Sequence, residues 1–114
     1  MKKLVIHIFH VHEGSTEIGA KLSERIRLVA AERGVGLELF IFGPAIAALV
    51  DPAQSAFRDA LAALAKEKVP VLVFRQTVET MGKAQMLVDL GFSLEYARDA
   101  FIRFALEGAT VISL

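Results

Sequence analysis

The sequence predicts an α/β protein, a three-layer α/β/α sandwich around a mostly parallel sheet of four to five strands. Short apolar runs recur along the chain without the apolar and polar alternation that half-exposed strands show. Segments of roughly 10 to 18 residues with helical spacing of apolar side chains separate these runs. Glycine, or proline after a capping residue, marks several boundaries between the two kinds of segment. Each element follows from these signals.

The first part of the chain predicts a strand, a helix and a second strand. Residues 4–11 form one apolar run, and residues 36–42 form another. Between them, the segment from Gly14 to Gly34 has the spacing of an amphipathic helix. The side chains of this helix that we expect to face the core are Ile18, Leu22, Ile26 and Val29.

The middle of the chain predicts a second main helix and a buried strand. Asp51 can cap a helix, and Pro52 then occupies its first position. Residues 69–73 are apolar throughout except for Pro70, which indicates a strand buried on both faces. The expected core side chains of the helix between them are Phe57, Ala60, Leu61 and Leu64.

The last part of the chain predicts a mixed segment, a helix and a final strand. Residues 77–90 have partly helical character. We expect Ser93 to cap a helix that ends at Gly108, and residues 109–114 to form the last strand. The aromatic side chains of this helix have helical spacing, which favours packing in the core or between subunits. They are Tyr96, Phe101 and Phe104.

Composition limits the function classes. The 114 residues predict one domain, 1–114, and 13 basic residues balance 13 acidic ones, so we expect no nucleic acid partner. No apolar run approaches the roughly 20 residues that cross a bilayer, and no signal peptide is evident, so we expect a cytoplasmic protein without membrane contact. The apolar content of 54% is high for so small a domain, which favours a homo-oligomer or a complex with a partner subunit. The chain has no cysteine.

A parallel sheet places its candidate site at one edge. Ligands of α/β proteins usually bind beyond the carboxyl ends of the strands, and here the loops at that edge are 10–15, 43–45 and 75–82. The candidate ligand-binding residues in these loops are His10, His12, Gly14, Ser15, Arg75, Gln76, Thr77 and Gly82.

His10 and His12 suggest one kind of site. Residues two apart on a strand face the same side, so both imidazoles could bind one zinc ion, with Glu13 or a second chain adding oxygen. The simpler interpretation is that both histidines meet solvent at a strand end. His7 lies on the opposite face with Val5, and we expect it to be neutral and buried beneath a helix.

Gly14, Ser15 and Arg75 suggest an anion site instead. The start of a helix offers free N–H groups and a positive dipole end, and the guanidinium of Arg75 suits oxyanions. An ordinary helix cap explains the first two residues equally well, and a salt bridge explains Arg75. Gln76 and Thr77 either bind a small ligand or form the first turn of a helix.

Three segments together resemble one known family. The segments GVGLELFIFGPAIAAL (34–49), VPVLVFRQTVETMG (69–82) and FIRFALEGATVISL (101–114) are similar to those of DsrE/DsrF-like proteins, which have the YchN-like fold. The resemblance implies a small sulfur-relay protein that forms dimers, trimers or hexamers with itself or with related subunits. It also implies a persulfide-carrying cysteine after the third strand, where this chain has Phe74.

Two functions are consistent with the sequence. The first is a non-catalytic binding or assembly protein of the sulfur-relay type, without catalytic residues or cofactor, that holds a small anionic or sulfur-containing ligand or a partner protein. The missing cysteine favours it. The alternative is a metal-dependent enzyme that uses zinc at His10 and His12 to activate water.

Overall fold

The structure is a computed structural model that describes residues 2–11 and 14–114. The five strands are β1 Lys2–Ile8, β2 Val35–Ile41, β3 Val71–Phe74, β4 Ser93–Glu95 and β5 Thr110–Ser113. They form one sheet in the order β4-β3-β2-β1-β5, and every neighbouring pair is parallel. The predicted α/β class is therefore confirmed, with the strand number at the upper end of the expected range.

Helices cover both faces of this sheet, and the strand order explains their distribution. The helices are α1 Ser15–Ala30, α2 Pro44–Val50, α3 Ser55–Lys66, α4 Arg75–Thr80, α5 Ala84–Asp89 and α6 Ala97–Leu106. From β1 to β4 the chain crosses the sheet in one direction, so right-handed crossovers place α1 to α5 on one face. The connection from β4 back to β5 runs the other way and places α6 on the opposite face.

The larger core lies under α1 to α5. Its buried strand residues include Ile6, Ile8, Leu39, Ile41, Val71 and Val73. Helix α1 approaches the sheet through small residues, since a Cβ added at Gly19 would lie 2.8 Å from Cδ1 of Ile8. Ser23 in the same helix is buried and donates a hydrogen bond of 2.7 Å to the Gly19 carbonyl.

This close approach corrects two expectations about helix packing. Ile18 and Val29 were expected to face the core, but both are exposed, because the small face of α1 lies against the sheet instead. In α3, Ala60 is exposed although Phe57, Leu61 and Leu64 are buried as predicted. Apolar spacing alone predicts that the side of a helix with the larger apolar side chains faces the core, and it overlooks a stripe of Gly, Ala and Ser.

The smaller core lies under α6. Val5, Phe40 and Leu72 point from the sheet to this side, where they pack against Ala100 and Phe104. The predicted cap at Ser93 is wrong, because Ser93 begins β4 and the helix begins at Ala97. This strand has only three residues. That is too few for the spacing of apolar side chains to distinguish a strand from the first turn of a helix.

A cluster of charges fixes α6 on this face. Arg103 of α6 donates bidentate hydrogen bonds to the buried Glu38, at 3.2 and 2.7 Å, and also binds Glu95 and Glu107. Nζ of Lys3 lies 3.0 Å from both Glu38 and Glu107. The hydrogen bonds from Glu38 and Glu95 raise the pKa of Arg103 above its usual value. These five residues are called the α6 charge cluster below.

Gly43 determines how the chain leaves β2. It has φ 63° and ψ −141°, a conformation that side chains with a Cβ rarely adopt. A Cβ at this position would also overlap the Phe9 ring. Gly43 therefore allows the segments after β1 and β2 to approach each other at the carboxyl edge of the sheet.

Candidate functional site

The carboxyl ends of the strands meet at one edge of the sheet. At this edge β1 continues into Phe9 and His10, and β3 is followed directly by α4 at Arg75. The N–H groups of Phe9 and His10 both donate to the Leu114 carbonyl, at 3.0 and 3.1 Å. These bonds hold the extension of β1 beside the end of β5.

A small pocket lies at this edge, where β3 and β4 end. It has a volume of about 250 Å³, somewhat below the range of drug-sized sites. One wall comes from the end of β3 and the start of α4, and the other from the junction of β4 and α6. The lining residues are Phe74, Gln76, Tyr96, Ala97 and Arg98.

Two guanidinium groups flank the single tyrosine. The Arg75 guanidinium lies 5.6 Å from the centre of the Tyr96 ring, and that of Arg98 lies 5.8 Å from it. Each arginine also has an acidic neighbour, Glu79 at 3.4 Å and Asp99 at 3.6 Å. Nε of Arg75 is buried and has no hydrogen-bond partner within the described residues.

Aromatic rings form the apolar side of this edge. The ring of Phe74 lies 4.8 Å from that of Phe42, and Phe42 lies 5.6 Å from Phe9. Phe74 is half-buried and occupies the position that the family resemblance assigns to the sulfur-carrying cysteine. An apolar ring therefore stands where a thiolate would be required for sulfur transfer.

The predicted residues after β3 divide into two groups. Gln76 lines the pocket, and Arg75 lies beside it. Thr77 and Gly82 instead take part in the end of α4, where the Thr77 carbonyl accepts from the Met81 N–H and Gly82 has φ 70°. Gln76 and Thr77 both lie in the first turn of α4, and their roles in ligand binding stay predictions.

The predicted residues after β1 lie apart from this pocket. His10 is exposed and its ring meets Phe9 edge to face, with 5.0 Å between centroids. Gly14 lines a separate open groove of about 850 Å³ between α1 and α3, and Ser15 begins α1. His12 and Glu13 lie outside the described residues. Within residues 2–11 and 14–114, no group of three or more His, Asp or Glu side chains could hold a metal ion, and zinc at His10 and His12 stays a prediction.

His7 is buried on the α6 face, as the sequence predicts. Its Nδ1 shares a hydrogen bond of 3.1 Å with Oγ of Ser113, while its buried Nε2 has no hydrogen-bond partner in the described part of the chain. Burial lowers the pKa of His7 below its usual value, and the charge of His10 acts in the same direction. The surrounding rings are those of Phe9, Phe40, Phe42 and Phe101.

We expect His7 to make the fold sensitive to mild acid. The unfolded chain protonates this imidazole near pH 6.5, whereas the folded protein does so only at lower pH, so stability falls as the pH drops below about 6.5. Urea unfolding from pH 7.5 to 5 measures this slope. His7→Gln should flatten it, whereas the matched variant of the exposed histidine, His10→Gln, should leave it nearly unchanged. If stability falls equally steeply with pH in His7→Gln and in the wild type, His7 is not the cause of the acid sensitivity.

Tyr96 and Arg98 were missed in the sequence. Both follow the three-residue strand β4, which the sequence pattern predicts as the start of a helix. Once β4 is recognised as a strand, the same rule that selected Arg75 and Gln76 also selects the residues after it. Gly91, with φ 95° shortly before β4, is the one local signal for a break in the helical pattern.

Comparisons with known proteins support the fold. No protein-family model matches the sequence, and no curated protein matches it. Among solved structures, BT1422 from Bacteroides thetaiotaomicron, a conserved protein of unknown function, has a TM-score of 0.78 at 12% identity, over 99% of this chain and 95% of that one. MTH1491 from Methanobacterium thermoautotrophicum, also of unknown function, has a TM-score of 0.72 at 18% identity. YchN from E. coli has a TM-score of 0.69 at 19% identity. The similarity to MTH1491 and the similarity to YchN each cover 100% of this chain and 100% of the other.

These findings define the class of protein. The chain is an α/β protein with an all-parallel five-stranded sheet, helices on both faces and a small pocket at the carboxyl edge. Its fold is the YchN-like fold of the DsrE/DsrF-like proteins, so the resemblance is confirmed at the level of the fold. Among the described residues, no helix is both long and apolar enough to span a membrane.

Proposed function

We propose that this chain is a non-catalytic binding protein of the DsrE-like sulfur-relay type. It holds a small anionic or sulfur-containing ligand in the pocket beside Phe74, and it works as an assembly of like or related subunits. The observation that carries the proposal is the pocket itself, with an aromatic wall on one side and two arginines around Tyr96.

The chemistry of the pocket favours an anion. Guanidinium groups donate hydrogen bonds in a planar fork that matches oxyanions. The acidic neighbours of Arg75 and Arg98 are exposed pairs at 3.4 and 3.6 Å without hydrogen bonds between them, and such pairs are weak in water. Both arginines therefore keep donors for a ligand. Gln76 adds a neutral donor and acceptor at the same wall.

The missing cysteine separates binding from sulfur transfer. A persulfide needs a thiolate, and this chain has none. The ring of Phe74 closes the corresponding position against Phe42. In this proposal the chain binds a ligand or supports a partner subunit, and any covalent sulfur chemistry occurs on another protein.

An anion titration tests the proposal. Sulfate, sulfite and thiosulfate are added in turn, and the amide resonances of residues 96–98 are followed by NMR. We expect saturable shifts, and we expect Arg75→Gln and Arg98→Gln each to raise the dissociation constant about tenfold or more, because each removes a charge-assisted hydrogen bond.

The control is Arg33→Gln, which removes an exposed cation shortly before β2, at the opposite edge of the sheet. It should leave the affinity unchanged. If Arg33→Gln and Arg98→Gln weaken anion binding equally, the binding depends on net charge alone. The absence of saturable shifts with all three anions would reject the pocket as an anion site.

A further inference from the structure

We propose that the outer edge of β5 is an interface at which a second copy of this chain pairs in antiparallel orientation. The inference rests on the assembly part of the proposed function and specifies the surface that carries it. It does not involve the pocket beside Phe74, because β5 and that pocket lie at opposite ends of the strand order.

The first argument is the direction of the backbone groups of β5. Leu114 donates its N–H to the His7 carbonyl at 2.8 Å and accepts from the N–H of Phe9, so its polar groups face β1. Polar groups of successive strand residues point to alternate sides. The N–H and C=O groups of Val111 and Ser113 therefore point away from β1. Within the described residues, no strand lies on that side.

The second argument is the contrast between the two edges of the sheet. Edge strands that stay unpaired are usually short, charged or interrupted by proline. The edge strand β4 has three residues, and its Glu95 belongs to the α6 charge cluster. The edge strand β5 has four residues, Thr-Val-Ile-Ser, all exposed and without charge or proline. Both edge strands of the described sheet are short, but β5, unlike β4, carries no charge.

The third argument is the apolar surface around β5. Val111 and Ile112 are 40% and 41% exposed and point to opposite faces of the sheet. On the α6 face, the 40% exposed Phe101 lies 5.7 Å from His7, the β1 residue that pairs with Ser113. On the other face, Gly19 of α1 lies close to Leu114 and is adjacent in sequence to the exposed Ile18. Val111, Ile112, Ile18 and Phe101 together expose roughly 300 Å² of apolar surface, about two thirds of the about 450 Å² that each partner contributes to a standard interface. Backbone hydrogen bonds between the paired strands add to this apolar contact.

A second copy fits this surface because the edge complements itself. A two-fold axis perpendicular to the sheet at Ile112 places Val111 of one copy opposite Ser113 of the other, so outward donors meet outward acceptors. The same axis makes the two α1 helices antiparallel to each other. The strand itself carries no charge, so no like charges oppose each other across the paired strands.

Two lysine substitutions test the interface. Val111→Lys and Ile112→Lys each place a charge at an exposed edge position, and the control Ile102→Lys places one on the outer side of α6, at a residue 62% exposed. Sedimentation velocity over a concentration series measures association. We expect the wild type to form dimers or dimer-based assemblies, both edge variants to raise the dissociation constant about 100-fold, and the control to have no effect.

Hydrogen exchange of the wild type provides a second measurement that needs no substitution. The amides of Val111 and Ser113 should be protected at high protein concentration and should exchange rapidly after dilution. Three results would overturn the inference. The wild-type protein could stay monomeric, its assembly could survive both edge substitutions, or the Val111 amide could be unprotected in the dimer. Sulfate titration of Ile112→Lys separates the two proposals. If this variant is monomeric but its amide shifts still saturate with sulfate, it has lost the interface and kept the anion site.

Discussion

Replacing Arg103 by methionine is expected to lower the free energy of unfolding by about 3 kcal/mol, with a fall in Tm on the order of 10 °C. The reason is Glu38, whose side chain is 2% exposed and receives two hydrogen bonds from Arg103. The variant leaves this carboxylate buried with Lys3 as its remaining cation. Denaturant unfolding with a calorimetric scan measures the loss.

The double variant Glu38→Met with Arg103→Met is the decisive control. Apolar side chains that replace a buried ion pair often restore or exceed the original stability, because neither charge then needs desolvation. We therefore expect the double variant to regain most of the stability that Arg103→Met loses. A double variant as unstable as the sum of both single variants would show that Arg103 stabilises α6 by its packing rather than by its charge.

Replacing Gly43 by alanine is expected to cost about 3 kcal/mol, from two separate causes. The backbone conformation at φ 63° and ψ −141° strains any residue with a Cβ. The added methyl group also overlaps the Phe9 ring, which must move. The measurement is again the free energy of unfolding, and the amide shifts of Phe9 and His10 report the displacement.

Gly34→Ala separates the two causes. Gly34 has φ 73°, but a Cβ there would meet no atom within 4 Å. Gly34→Ala should lower the free energy of unfolding by about 1 kcal/mol, which is typical of a non-glycine residue in the left-handed region without a clash. Gly43 has a different and more strained backbone conformation, with ψ −141°, so the double variant Phe9→Ala with Gly43→Ala measures the contribution of the clash. If the two substitutions show no coupling, Phe9 contributes nothing to the cost.

The sequence was sufficient to predict most of the sheet. The buried runs at 36–42 and 69–73 differ from the observed β2 and β3 by one or two residues at each end. Their signal is strong because strands covered on both faces need apolar side chains throughout. Glu38 is the exception within β2, and nothing in the sequence indicates that Arg103, 65 positions later, is its partner.

The candidate site was less predictable, because it depends on contacts between distant segments. Arg75 and Gln76 followed from the rule for strand ends, but Tyr96 and Arg98 required the recognition of β4. The positions of Ile18 and Val29 depend on how closely α1 approaches Ile8, and Gly19 determines that distance. Spacing patterns describe one element at a time and cannot report the distance between two elements.

The pairing of β1 with β5 constrains the order in which the chain can fold. β1 and β2 are neighbours in sequence and in the sheet, so they can associate while later segments are still being synthesised. The bonds from His7 to Ser113 and from Lys3 to Glu107 close loops of 106 and 104 residues, and such closures are entropically the most expensive. A nascent chain therefore leaves this side of β1 unpaired until β5 has been synthesised and can pair with it.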